Sequence, residues 1–270
     1  MLSIAGSDSG GGAGIQADLK AFAACGVHGM TAITAITAQN TVGVSAVAAI
    51  APEMIVAQIA AVAQDIGIDA VKIGMLGTAE TIDAVAQALA ALDALGPADR
   101  PVPVVIDPVM VSESGAELLS ADARVALAQR LLPRASVVTP NLAEARVLAG
   151  IGTGTGTETG TVSDSDDAEA LARAIHRLGP DVVIVTGGHR AQASDLLFDG
   201  RRLLAIDGPR HPDGAAHGSG CTHSSVLAAR LAHGDAPVEA ARIARAMAAE
   251  AVRQGLRAVG AGPGPVNVWP

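Results

Sequence analysis

The sequence predicts an α/β fold built on a mainly parallel sheet covered on both faces. Three observations predict it. Short β-type runs alternate with longer Ala-rich helical runs along the 270 residues. Runs such as 102–106 and 182–185 are apolar throughout rather than alternating, as strands buried on both faces are. Glycine-rich and polar segments follow the strands, where open α/β sheets bind ligands.

Taken in order, residues 2–5 read as a strand and 14–25 as a helix after a glycine-rich turn. Residues 33–37 and 44–50 are β-like. A helix over 52–66 has Pro52 at its first turn, where the missing N–H does no harm. Strands at 70–73 and 102–106 flank a helix over 79–95. A helix over 121–132, a strand at 136–138 and a short helix over 141–148 follow, then a helix over 167–178. Residues 182–185 form a strand, and 196–198 with 203–206 make a hairpin around Asp199-Gly200. Helices over 221–232 and 237–253 close the pattern. No composition break divides the chain, so one domain over 1–270 is expected, with 152–167 a polar surface loop.

Composition excludes several function classes. Eighteen Lys+Arg against twenty-seven Asp+Glu give a formal charge of −9, the wrong sign for non-specific nucleic-acid binding. Aromatics are only 1%, too few for base-stacking platforms. Two cysteines cannot make a disulfide scaffold. No apolar run is long enough for a membrane span, and residues 2–6 lack the basic and apolar regions of a signal peptide. A cytoplasmic protein with free thiols and no membrane or nucleic-acid partner is expected.

Six strand-end segments carry candidate chemistry. Residues 6–14 form a glycine-rich turn opening a helix, with backbone N–H groups for a ligand or simply a mobile turn. The segment is neither a dinucleotide fingerprint nor a Walker A loop. His217, Gly218, Ser219, Gly220 and Cys221 open another helix, which offers an oxyanion hole and a thiol lowered by the helix dipole. A metal held by His217, Cys221 and His223 is a weaker reading. Thr139, Asn141 and Glu144 suit a hydrated Mg²⁺, and equally form a capping box. Asp107 ends a buried strand beside Val109, Thr186 precedes Gly188 and His189, and Lys72 lies inside an apolar strand and so needs an anionic neighbour. Together these supply N–H groups and Mg²⁺-type oxygens, a combination suited to phosphoryl transfer.

The motifs AGSDSGGGAGIQADLK (5–20), AQNTVGV (38–44), KIGML (72–76), DPVM (107–110), TPNLAEA (139–145), GGH (187–189) and HGSGCTHS (217–224) stand in this order. In them the sequence resembles the hydroxymethylpyrimidine/phosphomethylpyrimidine kinases of thiamine biosynthesis, in the ribokinase-like superfamily. The resemblance implies a three-layer α/β/α sandwich, usually a homodimer. It implies ATP and Mg²⁺, and successive phosphorylation of a small pyrimidine alcohol and its monophosphate. It assigns Cys221 as catalytic, with Gly218, Ser219 and Gly220 as the anion hole. Gly6, Ala13, Gln39, Met75 and Val109 fall at pyrimidine-pocket positions. Asp107, Thr139, Asn141, Glu144, Thr186, Gly188 and His189 fall at ATP and phosphate positions, Asn141 and Glu144 holding Mg²⁺ through water. Two positions depart from the family pattern. Thr186 and Glu113 stand where a Lys, or for Glu113 a Lys or Thr, is usual, and the loss of cations bears on the second, more anionic step. A pyridoxal kinase of the same superfamily, a thiol hydrolase or transferase using Cys221, and a non-catalytic pyrimidine-binding regulator are the rival readings.

Overall fold

The computed structural model describes residues 1–95, 101–111, 115, 117–153, 164–187 and 194–268. Among these residues, nine strands form one sheet: β1 (Leu2–Asp8), β2 (Met30–Asn40), β3 (Gly43–Ala49), β4 (Val71–Ile73), β5 (Val104–Ile106), β6 (Val137–Val138), β7 (Val182–Val185), β8 (Asp195–Phe198) and β9 (Leu203–Ile206). Their order is β3-β2-β1-β4-β5-β6-β7-β8-β9. The run from β2 to β7 is parallel, and β3, β8 and β9 join antiparallel at the two edges. Among the described residues, eight α-helices cover it: α1 (Gly14–Ala24), α2 (Pro52–Asp65), α3 (Ala79–Leu95), α4 (Ala121–Ala126), α5 (Leu142–Thr153), α6 (Asp164–His176), α7 (Ser219–Ala232) and α8 (Pro237–Arg253).

The period of two along each strand sorts side chains onto two cores. Val71, Ile73, Val104, Ile106, Val138, Val183 and Val185 face one core with Ile55 of α2, Val85 of α3, Leu148 of α5 and Ile175 of α6. Val105, Val137, Val182 and Ile184 face the other, with Phe22 of α1, Val226 of α7 and Ala244 of α8. The result is the expected three-layer α/β/α sandwich. Such a sheet has no solvent-exposed face, so its central strands are apolar on both sides.

That alternation puts Lys72 on the α1/α7 side, and its side chain is fully buried. Its Nζ donates to Asp18 Oδ1 of α1 at 2.8 Å. The Asp18 carboxylate also accepts the hydroxyls of Ser3 (2.5 Å) and Ser225 (2.7 Å). One ion pair thus ties β4 and β1 to α1 and α7, and Lys72 has the anionic neighbour its burial demands.

The structure departs from the sequence expectations at several boundaries. The helix expected over 121–132 is α4 followed by a π turn (Leu127–Leu131) and a 3₁₀ turn (Leu132–Arg134). Pro133 lacks the N–H that a continuing α-helix needs. β1 runs on to Asp8, and β2 to Asn40, where a register shift between Ala38 and Gln39 turns it into the hairpin with β3. Helix α5 begins after Asn141, which caps it. The core of the expected loop, 154–163, lies outside the described residues, as do Glu113, Gly188, His189 and Arg190.

Breaking the buried pair leaves an uncompensated charge. Lys72→Met is expected to lower unfolding free energy by about 3–5 kcal/mol in a urea titration. The double variant Lys72→Met/Asp18→Asn, which keeps an acceptor for Ser3 and Ser225 without the charge, is expected to recover at least half of that loss.

Candidate active site

The carboxyl ends of β1, β4, β5, β6 and β7 open into one cavity of about 630 Å³. Every described residue to which the sequence assigned a site role lines it, from Gly6 and Ala13 through Gln39, Met75, Asp107, Val109, Thr139, Asn141, Glu144 and Thr186 to Gly218–Cys221. Gly188 and His189 lie outside the described residues.

The glycine-rich turn after β1 is organised by its own aspartate. Asp8 accepts N–H groups from Gly10 (2.8 Å), Gly12 (3.0 Å) and Ala13 (2.8 Å). Its Oδ2 also lies 3.2 Å from His217 Nε2. Burial alone would raise the Asp8 carboxyl, but His217 and these N–H groups hold it below the usual range. The N–H groups of Gly10, Gly12 and Ala13 are therefore engaged by Asp8, contrary to the expectation that this turn offers them to a ligand. Nor is it a mobile turn, since Lys20 Nζ donates to the Gly11 carbonyl (2.6 Å) and Ser9 Oγ to the Gln39 carbonyl (2.6 Å).

The second glycine turn is different. Gly218 caps α7 in the left-handed region (φ 85°). The Ser219 N–H donates to the Ala216 carbonyl and the Thr222 N–H to Gly218, both at 2.9 Å. Between them, Gly220 and Cys221 are the first-turn residues whose N–H groups remain for a ligand, as helix starts leave them. The Gly14 N–H at the start of α1 acts on the Cys221 thiol and favours its anion. Two helix N-termini thus converge on one thiol, with the Lys72 ammonium behind it. Despite this, burial pushes the Cys221 thiol up to about 12; Lys72 pulls it down, while Asp107 and Asp18 push it further up. The expectation of a dipole-lowered thiol is overturned, because loss of solvent outweighs half a charge at a helix end.

The carboxylate side of the cavity joins β5 to α5. The Asn141 N–H donates to Glu144 Oε2 (2.9 Å), and the Glu144 N–H donates to Asn141 Oδ1 (3.0 Å). The capping box is real, and both residues also face the cavity. Burial, with the Asp107 carboxylate near by, pushes Glu144 up to about 8. Asp107 is itself raised by burial, against Lys72 and the Ser224 hydroxyl that donates to it at 3.0 Å. Two carboxyl groups raised by burial and proximity are a donor set that a divalent cation relieves, and oxygen ligands suit Mg²⁺. The residues present fit that ion. His217 and His223 instead pair with separate aspartates, and among the described residues no group of three or more His, Cys, Asp or Glu is disposed to hold a metal.

Sequence reasoning missed several residues here. Asp18 and Asp195 are ordinary carboxylates in sequence, and only the sheet register and the β7–β8 hairpin bring them in. Asp195 Oδ1 accepts the Gly187 N–H at 2.7 Å, and its Oδ2 lies 3.2 Å from His223 Nε2. The segment holding Arg210 and His211 also lines the cavity, with no motif to flag it.

Gly218 has no substitute. A Cβ there would sit 1.8 Å from the Gly12 carbonyl oxygen, besides the strain of its φ. Gly218→Ala is expected to cost about 3 kcal/mol or more by denaturant unfolding. Gly234→Ala, at φ 93° with open space around it, is expected to cost only about 1–2 kcal/mol. The difference isolates the contact between the two glycine turns.

Comparison with known proteins agrees with this geometry. The family model described as phosphomethylpyrimidine kinase matches residues 8–267. A hydroxymethylpyrimidine/phosphomethylpyrimidine kinase of Rhizobium meliloti is 47% identical over 98% of this chain and 95% of its own. A crystal structure of phosphomethylpyrimidine kinase from Clostridium difficile superposes with a TM-score of 0.74 at 40% identity, covering 90% of this chain and 95% of that one. An ADP complex of Bacillus subtilis pyridoxal kinase superposes with a TM-score of 0.84 at 36% identity, covering 98% and 96%. With the match running almost end to end and through every motif around the cavity, the chain belongs to the phosphomethylpyrimidine kinase family.

Proposed function

We propose that the chain transfers the γ-phosphoryl group of ATP to the hydroxyl of 4-amino-5-hydroxymethyl-2-methylpyrimidine, and then phosphorylates the monophosphate. The carrying observation is the convergence of the α1 and α7 N-termini on Cys221, within the cavity that also holds Asn141 and Glu144. The names of the relatives support the pyrimidine, and the ADP complex of the related kinase supports the nucleotide.

In this reading the Gly220 and Cys221 N–H groups hold the transferring phosphoryl group, whose loose transition state asks mainly for charge neutralisation. Asn141 and Glu144 would hold a Mg²⁺ that would supply further neutralisation of the phosphate charge. With its thiol near 12, Cys221 is protonated at neutral pH and is no resident base. It acts as a relay: the sulfur takes the alcohol proton while its own passes to an oxygen of the transferred group. Gln39, half-buried at the end of β2, and Met75, against Gly6, bound the ring pocket. Ile36, Val42 and Val47 expose apolar side chains around the β2–β3 hairpin (52%, 60% and 54% exposed), which supports a homodimer formed through that hairpin. No described helix is long and apolar enough to cross a membrane.

Cys221→Ala is expected to cut turnover by ~10²-fold or more; full activity would remove the cysteine from the mechanism. A thiol near 12 is protonated in all but about one molecule in 10⁴ at pH 8. Alkylation of Cys221 by iodoacetamide, followed by peptide mass spectrometry, is therefore expected to keep rising tenfold per pH unit up to the alkaline limit of the fold. A plateau near pH 9 would contradict the geometry.

Product analysis by mass spectrometry, with Mg-ATP and hydroxymethylpyrimidine, its monophosphate or pyridoxal in separate tubes, tests the substrate. Monophosphate and diphosphate products are expected. Monophosphate alone would mean that Thr186 and Glu113 abolish the second step. Turnover of pyridoxal alone would overturn the ring assignment.

A further inference from the structure

Gln39 lines the cavity, and the protein fixes both its backbone and its amide. A bulge between Ala38 and Gln39 shifts the β2–β3 register, and bulges re-aim the side chains beside them. The Ser9 hydroxyl clamps the backbone: its Oγ donates to the Gln39 carbonyl at 2.6 Å and accepts the Gln39 N–H at 2.8 Å. Thr37, two positions back on β2 and 4% exposed, holds the side chain. Its Oγ1 donates to Gln39 Oε1 at 3.2 Å. The same hydroxyl lies 2.9 Å from the Ser7 carbonyl of β1. The two oxygens share its one proton, and β1 thereby fixes where the hydroxyl stands.

A glutamine amide is nearly symmetric in shape but not in chemistry. One end accepts and the other donates, and a half-turn about the last bond exchanges them. Among the described residues, Thr37 is the group that bonds this amide, and it meets the oxygen. Among the same residues nothing accepts from Nε2. The cavity is therefore offered an amide of fixed polarity, with a second lone pair on Oε1 beside the N–H groups of Nε2. A planar ring that pairs with both ends needs a donor beside an acceptor, in that order. An exocyclic amine next to a ring nitrogen is such an edge, and the pyrimidine alcohol carries one. A carbonyl next to a ring N–H presents the reverse. The hydroxymethyl group must reach Cys221, so the ring cannot turn over to compensate.

We propose that Thr37 is a positioning residue that sets ring specificity. Its hydroxyl holds the polarity of the Gln39 amide, so that the site selects a ring with an amine beside a ring nitrogen. Thr37 acts through Gln39. This rests on the pyrimidine kinase reading and adds to it the residue that orients the amide.

The test compares kcat/KM for hydroxymethylpyrimidine and for its 4-oxo analogue, in which a carbonyl replaces the amine and the ring nitrogen carries a proton. Wild type, Thr37→Val and Thr37→Ser are assayed with Mg-ATP. Wild type is expected to prefer the amine by about 10²-fold or more, because the analogue sets like groups against each other. Thr37→Val keeps the shape of the side chain and loses the hydroxyl. Its preference is expected to fall about tenfold, the scale of one hydrogen bond. The fall should come through a higher KM for the amine, with kcat and the KM for ATP near their wild-type values. Thr37→Ser keeps the hydroxyl and is expected to restore most of the preference. A merely structural Thr37 would lower turnover of both rings equally and leave the preference unchanged, and that result overturns the proposal. Should Thr37→Val fail to fold, Thr37→Ala removes the same hydroxyl and is read in the same way. Equal turnover of the two rings by wild type would overturn the fixed polarity without any variant. Wild type that phosphorylates neither ring would overturn this proposal and the pyrimidine reading together. Wild type that prefers the amine, with the same preference in Thr37→Val, would overturn this proposal only.

Discussion

The buried Lys72–Asp18 pair is the constraint on which the site depends. A lysine fully removed from water is tolerable only beside a carboxylate, and the strand period leaves Lys72 a single side of the sheet on which to find one. That side is covered by α1 and α7, which supply Asp18 and Ser225. Holding those two side chains fixes both helices relative to the sheet. The same register fixes where their first turns end up, over the ends of β1 and β4. The Cys221 thiol meets the start of α1 because a charge pair about one turn deeper aligns the two helices.

Charge in the cavity is divided between its two sides. Helix starts and Lys72 make the α1/α7 side positive, while Asp107 and Glu144 make the β5/α5 side acidic and carry protons more readily than surface carboxylates do. An anionic ligand bearing a divalent cation complements both sides at once. The two glycine turns divide the work similarly. One is closed on Asp8 and acts as a wall, and the other keeps donors open. Their shared reliance on glycine has one cause: Gly12 and Gly218 lack side chains because the two turns pack on each other, with His217 between them.

Much of this was legible in the sequence. Apolar strands separated by Ala-rich helices, with polar segments at the strand ends, are enough to place a cavity, because a parallel sheet brings all its carboxyl ends to one edge. The apolar surroundings of Lys72 were enough to demand an anionic partner, though not to name Asp18, which lies 54 positions away. Where the reading failed, the cause was a competition settled only in three dimensions. Cys221 sits at a helix start, which favours the thiolate, but the depth of its burial decides the matter, and depth is not written in a local motif. The turn at 6–14 has the composition of a phosphate cradle, yet the carboxylate of Asp8 reaches those N–H groups first. The sequence leaves Asn141 and Glu144 open as a cap or a metal site; in the structure they form the cap and line the cavity together.

The packing of Gly12 against His217 and Pro265 has a further consequence, for the order in which the molecule is made. Asp8 and His217 are 209 positions apart, and the His217 backbone carbonyl is in turn held by the Val266 N–H at 3.0 Å. The wall of the pocket is a seam between early and late parts of the chain. During synthesis the first turn therefore emerges long before the residues that brace it. Contacts of such separation are slow to form, so the parallel strands can assemble into a sheet while the pocket is still open. The wall of the pocket therefore waits on the last part of the chain, and a chain ending before His217 has the Asn141–Glu144 side of the cavity but not the brace of Asp8.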